Sequence, residues 1–367
     1  MDKIPSDKKE SNKVFVDLGE QYIEAYKAYE LLRYQEDKEK VWAKIKADVN
    51  HANKKKSSAK IFYALSIAAC FLLLLGGFYL LIGRIDSDND KKILDITSIP
   101  LPDHHSDEIV MITSSNKTLN IEDNSYISYQ QDGSVRINSQ KIANLSSDDK
   151  KNEKQSFNQI VVPKGKRTQV CFVDGTIIHI NSGSRVVYPS VFLNDKRVIY
   201  VDGEAFLNVK KDSLRPFIVS TDKMNIQVLG TSFNVCAYKA DNECSVVLVS
   251  GKVEVETKTK QKIGLSPDDM LSLTDSSVTT KKVNVSNYIS WTQGIMTLNA
   301  EPLDRVLSRL SRYYGEKIIY DTILSTVPIS GKLDLRDELK DVINIIAETA
   351  PVNISRNEDI IYVEKKK

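Results

Sequence analysis

The pattern of apolar and polar positions divides the chain into regimes of different period. From Ile61 to Gly83, IFYALSIAACFLLLLGGFYLLIG, about 23 residues pass without an Asp, Glu, Lys, Arg or His. A helix of that length rises roughly 34 Å, enough to cross a hydrocarbon layer of about 30 Å. A buried core helix rarely stays apolar on every face for so long, so the run predicts one transmembrane helix. A secretory signal peptide is a poor match, because about 60 residues precede the run and the run is longer than a signal core. Lys54, Lys55, Lys56 and Lys60 lie before it; Arg84, then Asp86, Asp88 and Asp90, then Lys91 and Lys92 follow it. The lysine excess puts the N-terminal side in the cytoplasm. The expected layout is a cytosolic head (1–60), a span (61–83), a linker (84–106) and a large part outside.

Within the head, residues 1–13 are charged, and apolar residues then recur at helical spacing: Phe15, Leu18, Tyr22, Tyr26, Tyr29 and Leu32. A second set is Val41, Trp42, Ile45 and Val49. Both predict amphipathic helices, too few and too short to bury much core alone. Two readings stand open: a self-contained or membrane-lying helical pair, or aromatic faces that await a cytosolic partner. Beyond the span, Asp86-Ser87-Asp88-Asn89-Asp90 begins like a calcium loop, but Lys91 replaces the required glycine and Thr97 the closing glutamate. It reads as a solvated linker ending near Pro100 and Pro102.

Over 107–285 the period changes to two. Short runs rich in Val, Ile, Thr and Tyr alternate with Asp132-Gly133, Asp174-Gly175, Ser182-Gly183, Asp202-Gly203 and Ser250-Gly251, each read as a turn. Strands this short and regular predict an all-β sandwich, barrel or solenoid. Val110–Tyr129 and Val170–Tyr188 echo each other as strand, turn, strand, turn, then a strand ending in Tyr, which suggests two stacked units. The polar stretch 144–158 reads as the loop between them.

From 291 to 367 the pattern is mixed. Ile295–Leu298 is a strand, and Pro302 opens a helix whose apolar face is Leu303, Val306, Leu307, Leu310 and Tyr314, stopped by Gly315. Strands follow at Lys317–Tyr320 and Ile329–Leu333. Leu339, Val342, Ile343, Ile346, Ala347 and Ala350 form a second helical face ended by Pro351, and strands at Asn353–Ser355 and Ile360–Val363 close the module. This order predicts a two-layer α+β domain, a form that suits docking.

Composition changes the picture little: 41% hydrophobic, 27% charged and a net charge of +2 are globular values with no electrostatic footprint for nucleic acid. Cys171, Cys236 and Cys244 are an odd set and no disulfide framework, though a Cys236–Cys244 bridge across a hairpin stays open. No nucleophile elbow, phosphate loop or Cys/His cluster appears; His179 sits in a strand between isoleucines, and neighbouring His104 and His105 lack metal-ligand partners. Catalytic residues, cofactor and metal are therefore not expected, and the polar NSGS at 181–184 is accounted for by a turn.

The strings VPKGKRTQV (162–170), DGT (174–176), NSGSRVVYP (181–189), GEAFLNV (203–209), PFIV (216–219), VLGTSFNV (228–235) and VLVSGKVEV (247–255) resemble the periplasmic domain of FecR-type anti-sigma factors. Trp291, Gly294 and EPLDRVLSRLSRYYG (301–315) resemble the C-terminal domain of the same family as found in Bacteroidetes. The likeness covers roughly 110–367; Ser266-Pro267-Asp268-Asp269 departs from the family's Pro-Gly turn, and the head matches no strong pattern. The resemblance implies an inner-membrane protein with a solenoid-like β-domain and a C-terminal module similar to the short N-terminal domain of secretins and TonB-dependent receptors. It implies a head that sequesters an extracytoplasmic-function sigma factor, with Phe15, Leu18, Tyr22, Tyr26, Tyr29, Val41, Trp42 and Ile45 as candidate contacts. It also implies a signal from the N-terminal extension of an outer-membrane TonB-dependent transporter, a siderophore and a glycan both fitting as inducer, and release by envelope proteases. Gly76 and Gly77 then mark a weak point in the span, each costing about 1 kcal/mol of helix propensity relative to alanine; ordinary membrane-helix composition is the simpler account of them. The rival is a membrane-anchored periplasmic binding or scaffold protein whose head is only an anchor.

Overall fold

The computed structural model describes residues 106–144 and 156–366, with Lys27, 38–44, Lys46, Gly76 and Ile99; of 142–144 it describes the backbone alone. The chain separates into two compact units, Met1–Asp86 and Ser87–Lys367. In the first, residues 38–44 are helical and exposed, Val41 at 57% and Trp42 at 58%. Gly76 is helical. Phe15, Leu18, Tyr22, Tyr26, Tyr29, Ile45 and Gly77 lie outside the described residues, as does the rest of the run 61–83. Among the described residues no helix is long and apolar enough to cross a membrane.

The second unit begins with short strands that the period-two pattern dictates. They are β1 (Ile109–Ile112), β2 (Thr118–Ile121), β3 (Ser125–Tyr129), β4 (Ser134–Ile137) and β5 (Gln140–Asn144). Next come β6 (Phe157–Val162), β7 (Thr168–Cys171), β8 (Ile177–Ile180), β9 (Ser184–Pro189) and the long β10 (Arg197–Asn208). Four hairpins follow: β11 (Phe217–Ser220) with β12 (Met224–Val228), β13 (Ser232–Ala237) with β14 (Cys244–Ser250), β15 (Val253–Thr257) with β16 (Lys262–Leu265), and β17 (Asp269–Leu273) with β18 (Val278–Lys282).

These strands form two layers joined through β10. The first runs β2-β1-β6-β9-β10-β11-β12-β15-β16. The second runs β5-β4-β3-β7-β8-β10-β13-β14-β17-β18. Successive hairpins alternate between the layers. Ile160, Ile199, Phe217 and Val255 of the first layer share one core with Ile178, Leu207, Phe233 and Leu271 of the second, so the linked strands curl round that core as a half-barrel. The two echoing stretches form matching trios of strands, β1-β2-β3 and β7-β8-β9. β3 runs parallel to β7, and the terminal residues Tyr129 and Tyr188 meet through their hydroxyls at 2.6 Å with rings edge to face.

Asp202-Gly203 is not the turn expected of it. It lies inside β10, where the strand leaves the first layer, pairing Asp202 with Arg185 of β9, and enters the second, pairing Gly203 with Ala237 of β13. Around this crossing β9 is buried on both faces. Part of the outer cover is Ile99, from the segment leading in from the predicted span. It packs on Val187 and Tyr200, and its carbonyl accepts a 2.6 Å bond from Arg185.

A turn of α-helix, α1 (Ser286–Ile289), and a 3-10 turn (Ser290–Gln293) lead into the α+β module. That module is β19 (Ile295–Pro302), α2 (Leu303–Tyr314), β20 (Lys317–Tyr320), β21 (Pro328–Asp334), α3 (Leu339–Thr349), β22 (Val352–Asn357) and β23 (Ile360–Lys365). β19 pairs with β21, and β23 lies between β20 and β22. α2 and α3 bury Leu303, Val306, Leu307 and Leu310 with Val342, Ile343 and Ile346 in a second, separate core. The apolar face of α2 ends on Tyr313, ten residues after Leu303, while Tyr314 is only partly covered. At 100° per residue position 314 lies nearer the stripe's centre than 313, so the burial of Tyr313 owes to what packs on it from outside the helix, the Arg167 guanidinium over its ring.

Candidate functional site

Motif residues spread over the sequence converge where the α+β module meets the second β-layer. The loop between β6 and β7 carries Lys164-Gly165-Lys166-Arg167 to the C-terminal end of α2. Gly165 N–H donates to the Arg312 carbonyl at 3.1 Å, which satisfies one of the carbonyls a helix end leaves open. A Cβ on Gly165 would lie 2.9 Å from the Tyr314 carbonyl oxygen, and one on Gly315 would lie 3.1 Å from that of Lys164. Both glycines have positive φ, +84° and +80°. The two segments therefore touch backbone to backbone only because neither residue has a side chain.

Two arginines lock this contact from opposite sides. The Arg167 guanidinium stacks 3.7 Å over the Tyr313 ring and donates to the Tyr313 carbonyl at 3.1 Å. Arg312 of the module stacks 3.6 Å over Tyr238 of the β-domain and bonds both oxygens of Asp241, at 2.8 and 3.1 Å. Stacked cations of this kind contribute about 0.5–2 kcal/mol each, more where water is excluded. Burial disfavours the Arg312 charge, but Tyr238 and Asp241 more than offset this and raise its pKa. By contrast Arg305 and Glu243, paired at 2.9 Å on the more exposed rim, contribute little.

Beneath the arginines lies a buried polar chain. Glu204 accepts bonds from Asn181 at 2.7 Å and Asn234 at 3.0 Å. Asn234 in turn accepts from the indole N–H of Trp291 at 3.2 Å, and Trp291 is only 5% exposed. Tyr238 hydroxyl donates to the Ser182 carbonyl at 2.9 Å, and Ser182 hydroxyl donates to the Lys166 carbonyl at 2.8 Å. Each side chain of this chain finds a partner, so the network specifies one docking geometry. NSGS at 181–184 therefore does more than turn the chain: it lines this joint. Sequence reasoning missed the role because Glu204 and Asn234 occupy outward positions of their strands and Asn181 directly follows β8, places where polar residues ordinarily face water. Polar residues recurring outward in one sheet were the available signal.

The joint has the chemistry of a lock rather than of a reaction centre. Among the described residues no cluster of His, Cys, Asp and Glu could hold a metal ion. Cys171, Cys236 and Cys244 are free thiols. Cys244 belongs to the core, whereas Cys236 faces the joint, near Glu204 and Arg312, so the two point to opposite faces of the sheet and do not bridge. Burial, then the Glu204 carboxylate, push the Cys236 thiol pKa well above its ordinary value, which keeps it unreactive.

Replacing Gly165 by valine is expected to part the modules while leaving each core folded. Hydrogen exchange at 163–167 and 311–315 should quicken at least tenfold, with the β-core amides unchanged. Slow exchange retained at both segments would show that the backbone contact does not hold the joint.

The β-domain and the α+β module thus meet in a joint of touching backbones, stacked arginines and buried polar side chains. Residues 158–254 match the family described as FecR protein, and residues 295–363 match FecR, C-terminal. Two crystal structures of a candidate anti-sigma factor from Parabacteroides distasonis ATCC 8503, at 2.50 and 1.65 Å resolution, are similar to the chain at 32% identity. Their TM-scores are 0.54 and 0.53, and the matches cover 57% of this chain and 100% and 99% of theirs. A comparison with curated proteins gives no match. The chain belongs to the FecR family, with its FecR and FecR C-terminal domains, and is a regulator rather than an enzyme.

Proposed function

We propose that the protein is a single-pass inner-membrane anti-sigma factor that holds an extracytoplasmic-function sigma factor on the cytosolic side and receives its signal in the periplasm. The observation that carries this reading is the pairing of both FecR domains in one chain that spans the full length of a candidate anti-sigma factor at 32% identity. The run 61–83 serves as the membrane span, with the N-terminus cytoplasmic and the C-terminus periplasmic. Val41 and Trp42, exposed on helical residues 38–44, suit an aromatic anchor, since a buried Trp supplies an outsized share of interface energy. With them, Phe15, Leu18, Tyr22, Tyr26, Tyr29 and Ile45 form the sigma-binding set.

On the periplasmic side the N-terminal extension of a TonB-dependent transporter docks on the α+β module by strand addition. β22 is an edge strand of its sheet and is mostly exposed beyond Val352, which leaves backbone groups for a partner strand. Docking there works on the joint, and envelope proteases then release the head, with Gly76-Gly77 as the weak point of the span.

Residues 1–56, expressed with the extracytoplasmic-function sigma factors of the same genome, are expected to co-purify with one of them. Absence of any stable complex would favour the alternative of a periplasmic binding or scaffold protein with a passive anchor. In the full chain, Tyr26→Ala with Trp42→Ala is expected to raise sigma-dependent reporter transcription without inducer. Unchanged transcription at normal protein level would move the interface off these faces.

A further inference from the structure

The joint encloses a feature that the relay does not require. Beside the Arg167–Tyr313 stack lies a cleft of about 460 Å³ shared by the two modules, a size that suits a small molecule. From the β-domain it is lined by Asn124, Arg167, Gln169 and His179, and from the module by Gln293 and Arg336, among others. No Asp or Glu is among its lining residues. A guanidinium carries five N–H donors. Arg167 bonds the joint through Nη1 alone, and Arg336 is steadied by Asp334 through Nε and Nη2. Arg167 thus keeps Nε and Nη2 free of the joint, and Arg336 keeps Nη1 beside its bidentate pair with Asp334, donors that a carboxylate can accept. The amides of Asn124, Gln169 and Gln293 both donate and accept, as hydroxyl groups require. Burial lowers the His179 pKa, so its imidazole stays neutral near pH 7 and adds a further donor-acceptor pair.

We infer that this cleft is a binding site for a small hydroxy-carboxylate, held by Arg167 and Arg336 from the two modules at once. Such a ligand bridges β-domain and module, so its occupancy tightens the joint. The inference stands apart from the sigma-factor reading: the site needs only the folded outer unit, and the outcome of the co-purification leaves it untouched.

The test is calorimetric titration of the full chain in lipid nanodiscs with citrate and with gluconate, and with sorbitol as the neutral polyol. At least one of the two anions is expected to bind saturably with Kd below about 1 mM, and sorbitol not to bind. Gln169→Phe fills the cleft from a strand's outer face without touching the arginine locks and is expected to weaken anion binding at least tenfold. Arg336→Gln, on a largely exposed side chain, is expected to do the same. Bound anion should also slow hydrogen exchange at 291–294. Absence of saturable binding by both anions, equal binding of sorbitol, or full binding in both variants would overturn the inference.

Discussion

Replacing Arg197 by methionine is expected to cost about 3–5 kcal/mol, the range for breaking one side of a buried ion pair. The Arg197 side chain is fully buried at the start of β10, 2.7 Å from Asp174, itself 14% exposed. It also donates to the carbonyls of Lys210 at 3.0 Å and Arg215 at 3.1 and 3.0 Å. Its guanidinium stacks 5.3 Å from the Phe217 ring. One side chain thus ties the β7–β8 turn, the end of β10 and the approach to β11 together. Methionine fills much of the volume but leaves a carboxylate and two carbonyls without their donor. For a unit of this size the loss corresponds to a fall of about 10 °C in Tm, measurable by thermal unfolding of the full chain in detergent. Asp174→Asn keeps the turn bond to Thr176 N–H, 2.9 Å in the wild type, and removes the orphaned charge. The double variant should therefore lose clearly less than the sum of the single ones. Strict additivity would mean that the pair is not the source of the cost.

Arg197 also marks where reading the sequence stops. The α+β module was legible almost element by element, because Pro302, Gly315 and Pro351 punctuate helical stripes whose period is a local property of the sequence. The β-region was legible as strands, since Val, Ile and Tyr alternate there. Its layer order was not, because pairing partners such as β12 with β15 or β6 with β9 lie far apart in the chain and period two says nothing about which edge meets which. Arg197, Glu204 and Arg312 look like ordinary solvated charges until the fold surrounds them. The same holds for Ile99, whose role on β9 depends on an outer face that no local pattern announces. The site was visible only as family strings; that VPKGKRTQV, NSGS, GEAF and RYYG meet in one joint is a fact of three dimensions.

Gly203 carries the second large effect, and the reason is the one that made it look like a turn. Gly203→Ala is expected to cost about 2–6 kcal/mol, summing strain at an unfavourable φ and overpacking of a close contact. Its φ is +126°, and a Cβ there would sit 2.6 Å from the Cα of Ser184. A side chain cannot swing away from a backbone atom, so β9 or β10 must move. That crossing is where β10 passes between the two layers, which a glycine permits by letting one strand bend against its neighbour. The damage extends to function, because Ser184 hydroxyl accepts from the Glu204 N–H at 2.9 Å and Glu204 anchors the polar chain under the joint. Gly203→Ala should thus lower the Tm and also speed hydrogen exchange at 311–315, even at temperatures where the β-core amides remain protected. Gly175→Ala supplies the control: its φ is also positive, +85°, but a Cβ there meets nothing nearer than the Lys210 side chain at 4.0 Å. It should show the strain cost alone, with the joint intact. If both alanines loosened 311–315 equally, the link from the strand crossing through Ser184 and Glu204 to the joint would be refuted.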